Sequence, residues 1–172
     1  MKTVQNIFIV DDDAIQAMML QDYLSKYSTF TIHVFNSGEE CLKNMSINPD
    51  IIFLDFNFDK AGKDAMNGID ILKEIKTLRP ETEVVMFSGQ DKIEVAVNTM
   101  KYGAFDYIVK SESAFHRSEN VIYNIIKRMK LAGEAKLYKK LTYSFGIAFL
   151  ILLLVILWLY NAGLISNNPG WM

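Results

Sequence analysis

Asp50-Ile51-Ile52-Phe53-Leu54-Asp55-Phe56-Asn57-Phe58 decides how this 172-residue chain folds. Four apolar residues lead straight into a carboxylate, with no polar alternation between them. A short unbroken run of this kind predicts a strand covered on both faces, as in a parallel sheet. Asp55 then stands at the C-terminal end of the strand, where open α/β sheets place their ligand sites. A lone aspartate often does no more than end a strand, but Asp55 has company. Asp11-Asp12-Asp13 follow the apolar run 7–10, Ser88 follows the run 84–87, and Lys110 follows 107–109.

Outward from that strand, the pattern alternates. Ile7-Phe8-Ile9-Val10 predicts a first buried strand, and Ile15, Met18, Met19 and Tyr23 recur at helical spacing over 14–27. Thr31, Ile32 and Val34 supply the β-branched residues of a second strand. Ser37-Gly38-Glu39-Glu40 reads as a helix start, and that helix ends before Asn48-Pro49. After Asp55 comes a long polar loop, then a stripe of Ile69, Ile71, Leu72, Ile75 and Leu78 that stops at Arg79-Pro80. Val84-Val85-Met86-Phe87 is a fourth strand, and a helix over 93–102 closes on Gly103, a good C-cap residue. Tyr107-Ile108-Val109 is the fifth strand, and Val121, Ile122, Ile125, Ile126 and Met129 mark a closing helix. Strands alternating with helices imply βαβ units, right-handed crossovers and an α/β fold around a five-stranded parallel sheet.

Charge divides the chain into three parts. Residues 1–126 hold 12 Lys/Arg against 19 Asp/Glu, a net −7; residues 127–140 hold 6 against 1, a net +5; residues 141–172 hold none. An acidic globular part argues against nucleic-acid binding, since it has too few cations to neutralise phosphates. Cys41 is the only cysteine, which excludes an intramolecular disulfide and a cysteine metal cluster. Residues 141–160 carry no charge and are dominated by Leu, Ile, Val and Phe. Twenty helical residues span about 30 Å, the thickness of a bilayer's hydrocarbon core. Trp158 and Tyr160 fall at the far end and Lys136, Lys139 and Lys140 flank the near end. The positive-inside rule then keeps the globular part in the cytoplasm, anchored by a single pass in the inner or plasma membrane. The N-terminus runs into a strand, so no cleaved signal peptide is expected.

In a doubly wound sheet the ends of the first, third, fourth and fifth strands converge at one edge. Asp11, Asp12, Asp55, Ser88 and Lys110 occupy those ends. Three carboxylates held together repel one another unless a cation intervenes. Mg²⁺ suits them, because it takes oxygen ligands, keeps several waters and commonly bridges carboxylates to a phosphate. Lys110 adds a compact positive charge and Ser88 a hydroxyl donor. A carboxylate so placed can act as nucleophile toward a phosphoryl group. Asp13 is read instead as the N-cap of the following helix.

The ordered set Asp11-Asp12, Asp55, Ser88-Gly89 and Gly103-Ala104-Phe105-Asp106-Tyr107-Ile108-Val109-Lys110 resembles the receiver domain of two-component response regulators. The resemblance covers roughly residues 4–130 and implies a flavodoxin-like fold. It implies that Asp55 is the phosphoacceptor, fed by a histidine kinase or phosphotransfer protein. Asp11, Asp12, Asp55 and the backbone carbonyl of Asn57 would hold Mg²⁺. Ser88 and Lys110 would contact the phosphoryl group, and Tyr107 would be the aromatic switch that turns inward when Ser88 moves.

The chain departs from the family at three places. Lys110 is followed by Ser111 rather than a proline in a cis peptide, and a cis bond before a non-proline costs about 2.5–4 kcal/mol. Thirteen positions separate Asp55 from Gly68, a longer loop than the family's, with Phe58-Asp59 where Met-Pro is usual. Gly89 stands where alanine is frequent. The resulting expectation is a receiver over 1–130, a basic juxtamembrane linker over 131–140, a transmembrane helix over 141–160 and a non-cytoplasmic tail over 161–172. Without an output domain of its own it would signal through a partner protein or a homodimer. Chemistry would be limited to self-phosphorylation and self-dephosphorylation. A phosphate-independent interaction module at the membrane is the alternative. A phosphatase-type hydrolase is disfavoured, since it needs an aspartate two residues after the nucleophile, where this chain has Asn57.

Overall fold

The computed structural model describes residues 5–27, 29–58 and 66–162. The N-terminal segment read for a signal peptide, the middle of the long loop after Phe58 and the tail beyond residue 162 lie outside the described residues.

Five strands, β1 (Asn6–Val10), β2 (Thr31–Phe35), β3 (Ile51–Leu54), β4 (Glu83–Ser88) and β5 (Asp106–Val109), pair in parallel in the order β2-β1-β3-β4-β5. Five helices connect or follow them: α1 (Ala14–Ser25), α2 (Gly38–Lys43), α3 (Gly68–Leu78), α4 (Ile93–Lys101) and α5 (Ala114–Asn161). The chain leaves β1 on one side for β2 and returns on the other as β3. This reversal opens a crevice at the C-terminal ends of β1 and β3, where such sheets bind ligands.

All four residues of β3 are buried, as its unbroken apolar run predicts. Side chains alternate across the sheet, so Phe8, Val10, Ile52, Leu54, Val84 and Met86 pack with Ile71, Leu72 and Ile75 of α3. On the opposite face Phe53 meets Phe87 edge-on at 6.2 Å between centroids, and Phe87 stacks on Phe115 of α5. Each such fully buried side chain contributes roughly 1.5–3 kcal/mol.

Short polar residues set the helix starts. Asp13, Ser37 and Asn67 accept backbone N–H groups at the beginnings of α1, α2 and α3, each worth about 1 kcal/mol. Glu40 completes the start of α2 by accepting the Asn36 N–H at 3.1 Å. After α2 a 3-10 turn (Met45–Ile47) ends at Asn48, whose φ of 61° is left-handed. Gly103, expected to close α4, adopts φ +92°, a region that favours glycine.

α1 corrects the sequence reading. Its buried residues are Ala17, Leu20 and Leu24, whereas Ile15, Met18 and Met19 are exposed. Both sets obey helical spacing, so periodicity identifies the helix without fixing which apolar stripe turns inward. The helix also stops at Ser25, two residues short of the expected end.

The chain divides into two compact units, with the division after Arg128. In the first, Val121, Ile122 and Ile125 of α5 are buried. In the second, the helix includes residues 131–140, so the expected linker is helical; its Leu, Lys, Ala and Glu are good helix formers. From Leu141 onward large apolar side chains such as Phe145, Leu154 and Trp158 are exposed. By length and composition this helix can cross a membrane, and none of its most apolar window is buried.

Candidate functional site

Four of the five strand ends deliver polar groups to the crevice. Asp11 and Asp12 follow β1, Asp55 follows β3, Ser88 ends β4 and Lys110 follows β5. The structure brings the acids and the lysine together. Lys110 Nζ lies 2.7 Å from Asp11 Oδ2 and 3.1 Å from Asp55 Oδ2. One carboxylate oxygen from each of Asp11, Asp12 and Asp55 falls within 4.8 Å of the others.

Backbone bonds hold these groups in place. The Asp55 N–H donates to the Val10 carbonyl at 2.9 Å, and the Lys110 N–H to the Ser88 carbonyl at 2.7 Å. The Phe56 N–H donates to Asp55 Oδ1 at 2.7 Å and the Asp13 N–H to Asp11 Oδ1 at 3.0 Å, which fixes one oxygen of each acid. Gly68, the first residue of α3, donates to the Phe56 carbonyl at 3.0 Å. A Cβ there would lie 2.5 Å from the Asp55 carbonyl oxygen and 2.7 Å from Phe56 Cα. Only glycine lets α3 approach the end of β3 this closely.

Burial pushes the Asp55 carboxyl up to about 6; Lys110 opposes the shift and Asp11 adds to it. Burial works against the Lys110 ammonium too. The hydrogen bond to Asp11 and the charges of Asp55 and Asp11 outweigh it, leaving the lysine raised and charged. Lys110 pairs with Asp11 and Asp55, and Asp12 brings a third carboxylate to the cluster. An all-oxygen donor set of three carboxylates fits a hard divalent cation such as Mg²⁺.

Ser88 is fully buried, and its hydroxyl accepts the Gln90 N–H at 3.2 Å. Tyr107 is 8% exposed and already turned inward, and its hydroxyl donates to the Gln90 carbonyl at 2.8 Å. The Gln90 side-chain amide reaches Asn57 Oδ1 at 3.4 Å. Gln90 therefore joins Ser88, Tyr107 and Asn57, a link that sequence reading missed. A single polar residue in a loop after Ser88-Gly89 carries no pattern that could have marked it. For Asn57 the described contact is through its side chain, whereas the expectation concerned its backbone carbonyl. The Lys110-Ser111 peptide is trans, as are all peptide bonds among the described residues.

His33 and His116 stay apart from this cluster. His33 sits edge-on to Phe8 in β2, and His116 lies 3.5 Å from Glu119 on α5. Cys41 is buried, and burial pushes its thiol up to about 12, consistent with an inert apolar filler.

Comparison with known proteins agrees with this geometry. The chemotaxis protein CheY of Thermotoga maritima is 32% identical over 107 residues, covering 62% of this chain and 85% of CheY. A protein-glutamate methylesterase/protein-glutamine glutaminase of Archaeoglobus fulgidus is 28% identical over 134 residues, but the chain spans only 37% of it. The solved CheX-CheY-BeF3-Mg²⁺ complex from Borrelia burgdorferi contains a chain with 26% identity and a TM-score of 0.61, covering 70% of this chain and 88% of that one. The family model for the response regulator receiver domain matches residues 7–118, and the chain belongs to that family.

Proposed function

We propose that this chain is a membrane-anchored receiver that accepts a phosphoryl group on Asp55 in a Mg²⁺-dependent reaction. The observation that carries the reading is the Asp55 carboxylate held 3.1 Å from Lys110 Nζ inside a cluster of three acids. Receiver domains work with histidine kinases or phosphotransfer proteins, so the natural donor is a phosphohistidine. An Asp55 oxygen forms the new bond to phosphorus as the N–P bond to the donor imidazole breaks. The imidazole leaves with the N–P electron pair and is protonated. Lys110 stabilises the negative charge on the transferring group, and the Ser88 hydroxyl donates to a phosphoryl oxygen. Asp11, Asp12, Asp55 and the Asn57 carbonyl would hold Mg²⁺, which neutralises phosphoryl charge when bound. The similarity to a CheY solved with BeF3 and Mg²⁺ supports this assignment.

The anchor is residues 141–160 of α5, with the receiver on the cytoplasmic side. Support comes from the exposed apolar surface of that stretch and the cations before it. Phosphorylation adds charge next to Ser88 and biases the Ser88–Gln90–Tyr107 connection, which a partner protein or a second copy reads out. Incubating the full chain in detergent with Mg²⁺ and acetyl phosphate should give base-labile phosphate that Asp55→Asn abolishes. Equal labelling of the variant would remove Asp55 as the acceptor.

A second reading, a phosphate-independent interaction module, is favoured by one observation. The Tyr107 ring is held inward by the bond from its hydroxyl to the Gln90 carbonyl, a contact that involves no group of the acidic cluster. Labelling of wild type in the same assay decides against it.

A further inference from the structure

Residues 127–140 carry six Lys/Arg against a single Glu, and 141–172 contain no charge at all. Helical spacing puts positions 136, 139, 140 and 143 on one face of α5, three or four residues apart. Lys139 and Lys140 are exposed, and no salt bridge among the described residues reaches them. Like charges at this spacing destabilise a helix unless an anion sits among them. Membrane orientation alone requires only an excess of cations near the span, not cations stacked on one face.

The dimensions point to the anion. Positions 136–140 cover about 6 Å of helix axis, and a headgroup layer is roughly 5–7 Å deep on each side of the hydrocarbon core. Tyr143, 64% exposed, follows on the same face one turn further toward the uncharged stretch, where interfacial aromatic rings sit. We propose that Lys139, Lys140 and Tyr143 form a binding site for the phosphate of an anionic lipid headgroup. The ammonium groups and the phenol donate to the phosphate oxygens, while the apolar helix beyond lies along the acyl chains. The site rests on the membrane-anchored reading above.

The test uses the full chain reconstituted in phosphatidylcholine membranes with trace spin-labelled phosphatidylglycerol or phosphatidylcholine. Electron spin resonance reads the fraction of each lipid immobilised at the protein boundary. Wild type should prefer phosphatidylglycerol severalfold at low ionic strength. In Lys139→Gln/Lys140→Gln the preference should approach one, with the immobilised phosphatidylcholine fraction unchanged. Equal preference for the two lipids in wild type, or an undiminished preference in the variant, overturns the site while leaving the anchor intact. Loss of the preference in excess inorganic phosphate, at constant ionic strength, assigns the face to free phosphate and overturns the lipid. Absence of an immobilised fraction for both lipids overturns the anchor and the site together.

Discussion

The hydroxyl of Tyr107 donates to the carbonyl oxygen of Gln90 at 2.8 Å, across the gap between β5 and the loop after β4. The Gln90 N–H donates to the Ser88 hydroxyl, so the tyrosine and the serine are joined through one loop residue. Removing the phenol oxygen should loosen that loop without emptying the ring's pocket. Tyr107→Phe is expected to cost about 1 kcal/mol of stability and to speed amide exchange over residues 89–92. Hydrogen exchange read by mass spectrometry checks it; protection equal to wild type would mean that the bond does not hold the loop.

Among the described residues, Lys110 is the one cation paired with Asp11 and Asp55, and both acids are buried. Lys110→Ala should therefore destabilise the metal-free protein by roughly 3–5 kcal/mol, the usual consequence of stranding buried charge. Millimolar Mg²⁺ should recover much of the loss, because a divalent ion replaces the missing positive charge. Thermal unfolding with and without Mg²⁺ measures both numbers. A variant as stable as wild type in EDTA contradicts the electrostatic account.

Gly68 ties α3 to the end of β3 by steric necessity. In Gly68→Ala the new methyl would meet the Asp55 carbonyl oxygen and the Phe56 Cα, which are backbone and cannot swing aside. The expected outcome is a loss of about 1–3 kcal/mol together with weaker Mg²⁺ binding, since the backbone that carries Asp55 must shift. Isothermal titration on the folded variant reads the second effect. Unchanged affinity would show that the displacement is taken up by α3 instead.

The parts of this molecule that were legible in its sequence are those where one physical demand dominates. β3 is buried on both faces, so it is written as an unbroken apolar run from Ile51 to Leu54. Asp13, Ser37 and Gly103 announce helix ends because few other residues satisfy those backbone positions. α1 shows the limit. Ile15, Met18 and Met19 on one side and Ala17, Leu20 and Leu24 on the other are both apolar, and only packing against the sheet selects the second set. Gly68 and Gln90 were illegible for a related reason: their roles are distances to residues far away in sequence. Asp55, Asp11 and Lys110 were legible as a set because strand ends converge in this topology. Their 2.7 and 3.1 Å contacts were not.

The raised pKa of Asp55 makes stability depend on pH. Burial pushes this group from 3.8 up to about 6 in the folded chain. The folded state therefore favours the protonated acid. Its stabilising contribution is fully present below pH 3.8 and is lost as pH rises through 6. At 1.36 kcal/mol per pKa unit, the full loss is about 3 kcal/mol. Asp55→Asn, neutral at every pH, should not suffer it. In EDTA at pH 7.5 the variant is expected to unfold at a higher temperature than wild type, and the difference should shrink as pH falls toward 4. Adding Mg²⁺ at pH 7.5 should narrow the gap from the other side, because the ion stabilises the ionised carboxylate of the wild type. Calorimetry across this pH range, with and without Mg²⁺, tests the sign directly. If wild type gains stability over the variant as pH rises in EDTA, the Lys110 pair outweighs burial and Asp55 is ionised at low cost.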